Sequence, residues 1–166
     1  MKKILMVLII FIISFFNIYS NSETNYIDNE PNTILVEQRS LIVRLLDEAK
    51  KHLGKPYKWG ATGPKMFDCS GFTSYVFKQF GFDITRTSRS QWKNSGKEIK
   101  TNNAIPGDLI FFTSKRSKNK VGHVGIVYAN ENNDLNFIHA SNSGVKISYL
   151  NESYYKRRFV GIKRII

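Results

Sequence analysis

Cys69 lies in Met66-Phe67-Asp68-Cys69-Ser70-Gly71-Phe72 and is the single cysteine of the 166-residue chain. A lone thiol has no partner within its own chain, so it is either an inert buried hydrophobe or a group kept for reactivity. Asp68 is a preferred N-cap type, which places Cys69 at the first helical position with its sulfur near the positive end of the helix dipole. A free thiol titrates near ~8.5, and a helix start beside an imidazolium lowers that value by several units. The expectation is therefore a thiolate at neutral pH. Ser70 occupies the poorer position and is not the expected nucleophile.

A thiolate attacking an amide needs a proton donor for the leaving amine. Of the three histidines, His52 follows Lys50 and Lys51 near a helix end and reads as a solvated terminal residue. His123 and His139 lie inside the apolar strands Val121–Ala129 and Leu135–Ser141. If these strands form a hairpin turning around Asn130 to Asp134, the two imidazoles share a sheet face as direct or diagonal neighbours, with Cβ atoms roughly 5 to 8 Å apart. His123 can then exchange a proton with the thiol and the leaving amine, and His139 can fix its tautomer. Gly122 and Gly125 let another element approach that strand.

The elements that must hold these groups follow from periodicity. Leu35, Ile42, Leu45, Leu46, Ala49 and Leu53 recur at helical spacing, stopped by Gly54 and Pro56. Phe72, Tyr75, Val76 and Phe80 mark a second helix that starts at the cysteine and ends at Gly81, a left-handed cap. A short third helix starts near Thr87 or Ser88 and ends by Gly96. After the turn Pro106-Gly107-Asp108 the period changes to alternation: Leu109–Phe112, the two histidine strands, Gly144–Leu150 and Phe159–Ile166 read as strands. Helices followed by strands indicate an α+β domain with an antiparallel sheet.

The N-terminal segment MKKILMVLIIFIISFFNIYSN carries a basic start and an apolar run from Ile4 to Phe16. That run is short for a span of roughly 20 apolar residues and suits a signal peptide, residues 1–20, with cleavage after Ser20. An uncleaved anchor is the alternative; a lipid-anchored form lacks the thiol to acylate. Residues 21–33 read as a flexible polar leader and 34–166 as one domain. Export to the periplasm, cell wall or medium follows. The net charge of +12, or +10 without Lys2 and Lys3, attracts polyanions. Outside the cell these are anionic envelope polymers rather than nucleic acid, and biased codon use is the competing explanation. The dense run Lys115 to Lys120 reads as a solvated loop.

Six segments together resemble the NlpC/P60 cysteine peptidases of bacterial cell walls: Gly54-Lys55-Pro56-Tyr57-Lys58-Trp59-Gly60, Phe67–Phe72, Arg86-Thr87-Ser88 with Gln91, Pro106–Phe112, Gly122–Ile126 and Ile138-His139-Ala140. The resemblance, from about Leu35 to the C-terminus, implies a permuted papain-like fold with helices packed on an antiparallel sheet. It implies hydrolysis of amide bonds in peptidoglycan stem peptides, commonly between D-γ-glutamate and a diamino acid. A monomer without cofactor or metal is expected. It assigns Cys69 as nucleophile, His123 as base and then acid, and His139 as the orienting third member. Tyr57 resembles the tyrosine that donates to the oxyanion alongside the Cys69 N–H. Asp68 and Ser70 could contact the free amine of the stem peptide, with helix capping the alternative for Asp68. Arg86 could hold a carboxylate or anchor its loop. Ala61 departs from the second glycine that many relatives carry, and its methyl would narrow the cleft or shift the loop.

Three rival readings use the same residues. Cys69, His123 and His139 with one water could hold zinc, although no HExxH-type cluster accompanies them. A non-catalytic envelope-binding module explains the charge but not the three reactive side chains. An amidase or acyltransferase would share the thiol and differ only in the acceptor.

Overall fold

The tetrad Leu109-Ile110-Phe111-Phe112 is apolar on both faces, which suits a strand covered on both sides. In the computed structural model, which describes residues 31–115, 117–131 and 134–166, that tetrad lies within β2 (Leu109–Ser114), between β6 (Phe159–Arg164) and β3 (Ser117–Glu131). With β1 (Lys97–Ile99), β4 (Asp134–Ser141) and β5 (Gly144–Tyr149) they form a six-stranded sheet in the order β1-β6-β2-β3-β4-β5. Every neighbouring pair is antiparallel. The expected α+β class is observed.

The helices are α1 (Pro31–Lys50), α2 (Cys69–Lys78), α3 (Ser88–Asn94) and the single turn α4 (Ser153–Lys156). Residues Glu37–Ile166 form one compact unit; of the N-terminal unit, Met1–Val36, the described part is the opening of α1. Leu45 and Ala49 of α1 and Phe72, Val76 and Phe77 of α2 pack on the sheet face of Leu109, Phe111, Val124, Ile126 and Ile138. The opposite face carries Ile110, Phe112, Val127, Phe137 and Ile162, closed by Tyr155 of α4. Each of these large side chains contributes about 1.5–3 kcal/mol when fully withdrawn from water.

The turn before β2 is fastened by Asp108, which is 2% exposed. It accepts from Arg164 Nε and Nη2, both at 2.9 Å, and from the Ile105 N–H at 2.9 Å. Gly107, at φ 93°, makes the bend that lets its N–H reach the Val127 carbonyl.

Several expectations need correction. The described part of α1 already includes residues 31–33, inside the segment read as leader. Leu53 is 45% exposed, because the chain leaves the helix after Lys50. Ser117–Lys120, read as loop, extends β3, with irregular register where Thr113 faces Val121 and Ser114 faces Ser117. Strand β1 and helix α4 are too short to show periodicity. The signal peptide and residues 21–30 of the leader lie outside the described residues. Among the described residues no helix is long and apolar enough to cross a membrane.

Candidate active site

Asp68 caps α2 as expected, with its Oδ1 accepting the Gly71 N–H. It also accepts the Gly60 N–H at 2.9 Å and a two-pronged ion pair from Arg86, whose Nη1 and Nη2 lie 3.1 and 2.7 Å from Oδ1 and Oδ2. Ser70 Oγ donates to Oδ1 as a longer fifth contact at 3.4 Å, so the roughly four acceptor directions of the carboxylate are all taken. Arg86 Nη1 also donates to Ser70 Oγ at 3.1 Å. The structure thus brings Asp68, Ser70 and Arg86 into one cluster at the helix start. Arg86 remains 41% exposed.

Gln91, fully buried, holds the Arg86 loop in place. Its Nε2 donates to the carbonyls of Ser70 and Thr85 and to Ser74 Oγ, while its Oε1 accepts from Thr73 Oγ1. Helix α3 brings it there, opened by a capping box between Thr87 and Ser90.

Cys69 is 7% exposed and packs within the helix-side core. The backbone of Val124, the residue after His123, and Ser70 lie close enough to its sulfur to favour the charged form. Burial, followed by the charge of Asp68, pushes the thiol up to about 11. The expected thiolate is therefore overturned for the resting protein. Removal of water outweighs the hydrogen bonds offered at the helix start. Tyr57 lies within electrostatic reach of Cys69, Asp68 and Arg86, and burial pushes its phenol up to about 12. It therefore stands protonated, as an O–H donor.

Strands β3 and β4 pair with Ile126 opposite Ile138 and Val127 opposite Phe137, which makes His123 and His139 diagonal neighbours. His123 Nε2 lies 2.9 Å from His139 Nδ1, with the rings perpendicular. Gly125 allows this packing: a Cβ there would come within 2.8 Å of Phe137 and 3.0 Å of His139 Cβ. His123 keeps some accessible surface, yet desolvation pushes it down to about 4. His139 is wholly buried and lowered further, by desolvation and then by the charges of His123 and Lys146. Both rings are neutral at pH 7.

Two further groups touch His139 that sequence reasoning missed. Ser148 Oγ lies 3.1 Å and the Tyr155 hydroxyl 3.3 Å from His139 Nε2. A buried serine in the apolar alternation of β5 was the available signal for the first; nothing local marked the second.

His52, expected in solvent, is 4% exposed. Its ring meets Phe67, Tyr75 and Phe72 edge-on, with centroids 5.0, 5.1 and 6.3 Å away. Lys55 Nζ donates to its Nδ1 at 2.8 Å, and Nε2 faces Glu48 at 3.2 Å. It supports the aromatic wall behind Phe67 and thereby the start of α2.

A groove of about 570 Å³ runs along residues 58–66, bounded by Trp59, Gly60 and Ala61. It adjoins the cysteine through the Asp68 N–H to Ala61 carbonyl bond and through Gly71, where a Cβ would overlap that same carbonyl. Trp59 is 84% exposed at its rim. Among the described residues no group of three or more His, Cys, Asp or Glu side chains is arranged to hold a metal ion.

The model of the NlpC/P60 family matches residues 54–164, which include every residue of this site except His52. The chain is 45% identical over 121 residues to the "Probable endopeptidase p60" of Listeria grayi, covering 73% of this chain and 22% of that protein. It is 42% identical over 123 residues to the "Probable peptidoglycan endopeptidase LytE" of Bacillus subtilis, covering 74% and 34%. It thus spans only about a fifth to a third of these relatives. A crystal structure from Staphylococcus aureus, described as similar to lipoprotein, NLP/P60 family, superposes with a TM-score of 0.67 at 31% identity, covering 76% of this chain and 42% of that one. The matched family model spans the cysteine helix, both histidine strands and the Arg86 cluster, and the chain belongs to the NlpC/P60 family.

Proposed function

We propose that the domain is a cysteine endopeptidase of peptidoglycan, cutting amide bonds of stem peptides, and that the bond between D-γ-glutamate and a diamino acid is its target. The observation that carries this reading is the His123–His139 contact at 2.9 Å on the strand whose Val124 backbone lies beside the Cys69 sulfur. The peptidoglycan endopeptidase described for LytE supports the substrate class.

In this mechanism the thiol proton passes to His123 Nδ1 as sulfur adds to the amide carbonyl. The carbonyl π pair moves to oxygen, where the Cys69 N–H and the Tyr57 hydroxyl stabilise it. The C–N bond then breaks, and His123 returns its proton to the leaving amine. Water, deprotonated by the same imidazole, adds to the thioester, and its collapse releases the acid and restores the thiol. Because its acceptor directions are already filled, Asp68 acts as cap and anchor, and buried Ser70 is bonded to it and to Arg86, leaving the exposed Arg86 to meet a polar end of the stem peptide. The groove beside Trp59 receives the rest of the substrate. Export through residues 1–20, and attraction of the basic surface to anionic envelope polymers, complete the proposal.

The test is mass spectrometry of muropeptides incubated with the protein and with its Cys69→Ala and His123→Ala variants. Both variants should lose hydrolysis, Cys69→Ala entirely, and the products should end at D-glutamate. Continued turnover by Cys69→Ala would refute the mechanism. Transfer of the acyl group to another acceptor would instead place the enzyme with the acyltransferases.

A further inference from the structure

The His123–His139 contact can be made in two ways. Either His123 Nε2–H donates to His139 Nδ1, or His139 Nδ1–H donates to His123 Nε2. With both rings neutral the second arrangement leaves the remaining proton of His123 on Nδ1. His123 could then accept nothing from a thiol. Only the first leaves a lone pair on His123 Nδ1, and it places the one proton of His139 on Nε2.

That proton has to be received within a closed apolar wall. His139 is 0% exposed, with the Phe137 ring centroid at 4.9 Å and the Tyr155 centroid at 5.4 Å. The two oxygens beside Nε2 are Ser148 Oγ at 3.1 Å and the Tyr155 hydroxyl at 3.3 Å, on residues only 1% and 6% exposed. They come from separate elements. Ser148 lies opposite Phe137 in the β4–β5 register, so it shares a face with His139, and Tyr155 comes from α4. An N–H buried here without either oxygen would bear its full desolvation cost.

We propose that Ser148 and Tyr155 are positioning residues that hold His139 as its Nε2–H tautomer, making its Nδ1 the acceptor for His123. A hydroxyl can donate as well as accept; here both oxygens turn lone pairs to Nε2 because His139 must accept from His123 at Nδ1 and so carries its one proton on Nε2. The arrangement suits the charged state as well. Once His123 holds two protons its Nε2–H must donate, and His139 must still dispose of its own Nε2–H. Other groups acting on His139 are His123 and Lys146, whose positive charges disfavour a second proton on it. The choice of tautomer rests on the roles assigned to Cys69 and His123 above; the spectrum reads it independently of turnover.

The experiment is a long-range proton–nitrogen correlation spectrum of histidine-labelled protein at pH 7, carrying Cys69→Ala so that turnover plays no part. It is compared with the Ser148→Ala, Tyr155→Phe and doubly substituted forms. His139 should show a protonated Nε2 and a bare Nδ1 in the parent and in each single variant, since one oxygen suffices. The double variant should show a mixture. With Cys69 restored, each single change should lower kcat by about threefold or less and the double change by roughly tenfold to a hundredfold, with KM little altered, because a buried donor is then unpaired. A protonated Nδ1 on parent His139 would overturn the proposal, and so would an unaltered tautomer in the double variant. If the double variant does not fold, the parent and Tyr155→Phe spectra decide. Undiminished hydrolysis by His123→Ala would refute the catalytic reading while leaving the tautomer result standing.

Discussion

Alkylation of Cys69 as a function of pH tests the resting state of the thiol. The folded thiol is pushed up to about 11, from an ordinary value of 9.0, first by burial and then by Asp68. At pH 7 that leaves a thiolate fraction of about one in ten thousand, against about one in a hundred for the same residue in the unfolded chain. Intrinsic nucleophilicity rises with basicity by a Brønsted slope of about 0.4–0.5, recovering a little under tenfold. Folding should therefore slow iodoacetamide by about tenfold at pH 7, and by more where access is restricted, since the sulfur's residue is only 7% exposed. The chain has a single cysteine, so intact-mass spectrometry of native and urea-unfolded protein reads one site. The decisive quantity is the midpoint of the native rate profile, expected near 11. Asp68→Asn keeps a capping side chain while removing the second cause, and should move the midpoint downward. A native midpoint below pH 8, with faster alkylation than in urea, would refute the desolvation argument and restore the helix-start thiolate.

Other outcomes follow from the same geometry. Arg86→Ala leaves the Asp68 charge without its two-pronged partner, which should cost about 1–3 kcal/mol in urea unfolding; an unchanged midpoint would show that the two backbone N–H donors suffice. Gly125→Ala forces a methyl to within 3.0 Å of His139 Cβ, so hydrolysis should fall more than tenfold; a fully active variant would show that the histidine pair tolerates displacement. His123 and His139 have lowered pKa values in the folded protein, so the unfolded chain binds protons first as pH drops below 6.5. Stability present at pH 7 is then progressively lost toward about 4, by about 2–4 kcal/mol on reaching pH 5; buried His52 adds in the same direction, and a flat profile would contradict all three. If the basic surface guides the domain to anionic wall, salt should slow hydrolysis of intact sacculi more steeply than that of a short stem peptide, because exposed charges are screened as the Debye length falls from about 10 Å at 0.1 M to about 3 Å at 1 M.

What could be read in advance depended on whether a signal was local. Asp68 before Cys69 announced a capped helix because capping is chemistry between residues three apart, and Gly81 closes the turn beyond α2 with φ 84° for the same kind of reason. The diagonal placing of His123 and His139 was accessible because a hairpin converts residue numbers into cross-strand neighbours. His52 was misplaced because the lysines before it suggested solvent, while the partners that bury it, Phe67, Phe72 and Tyr75, lie 15 or more residues away. Ser148 and Tyr155 escaped notice for the same reason: each acquires its importance from one nitrogen of a residue on another element.

The misread thiol belongs to this class, and it bears on the mechanism. A helix start offers Cys69 backbone N–H groups from its own neighbourhood, which the local sequence displays, whereas the core cluster that buries it includes Phe111 and Val124 of distant strands, which the local sequence does not show. The same exclusion acts on His123 in the opposite sense, so the thiol rises to about 11 while the imidazole falls to about 4. Transferring the proton from sulfur to nitrogen in the free protein is then uphill before the attraction of the resulting ion pair is counted. That attraction returns part of the cost. The remainder is best met when proton transfer accompanies carbon–sulfur bond formation, because the charge then moves on to an oxygen facing the Cys69 N–H and the Tyr57 hydroxyl. Tyr57→Phe should consequently lower kcat rather than raise KM, and leave the alkylation midpoint of the free thiol near its original value. A rise in KM alone would assign the phenol to ground-state binding and leave the oxyanion to the backbone.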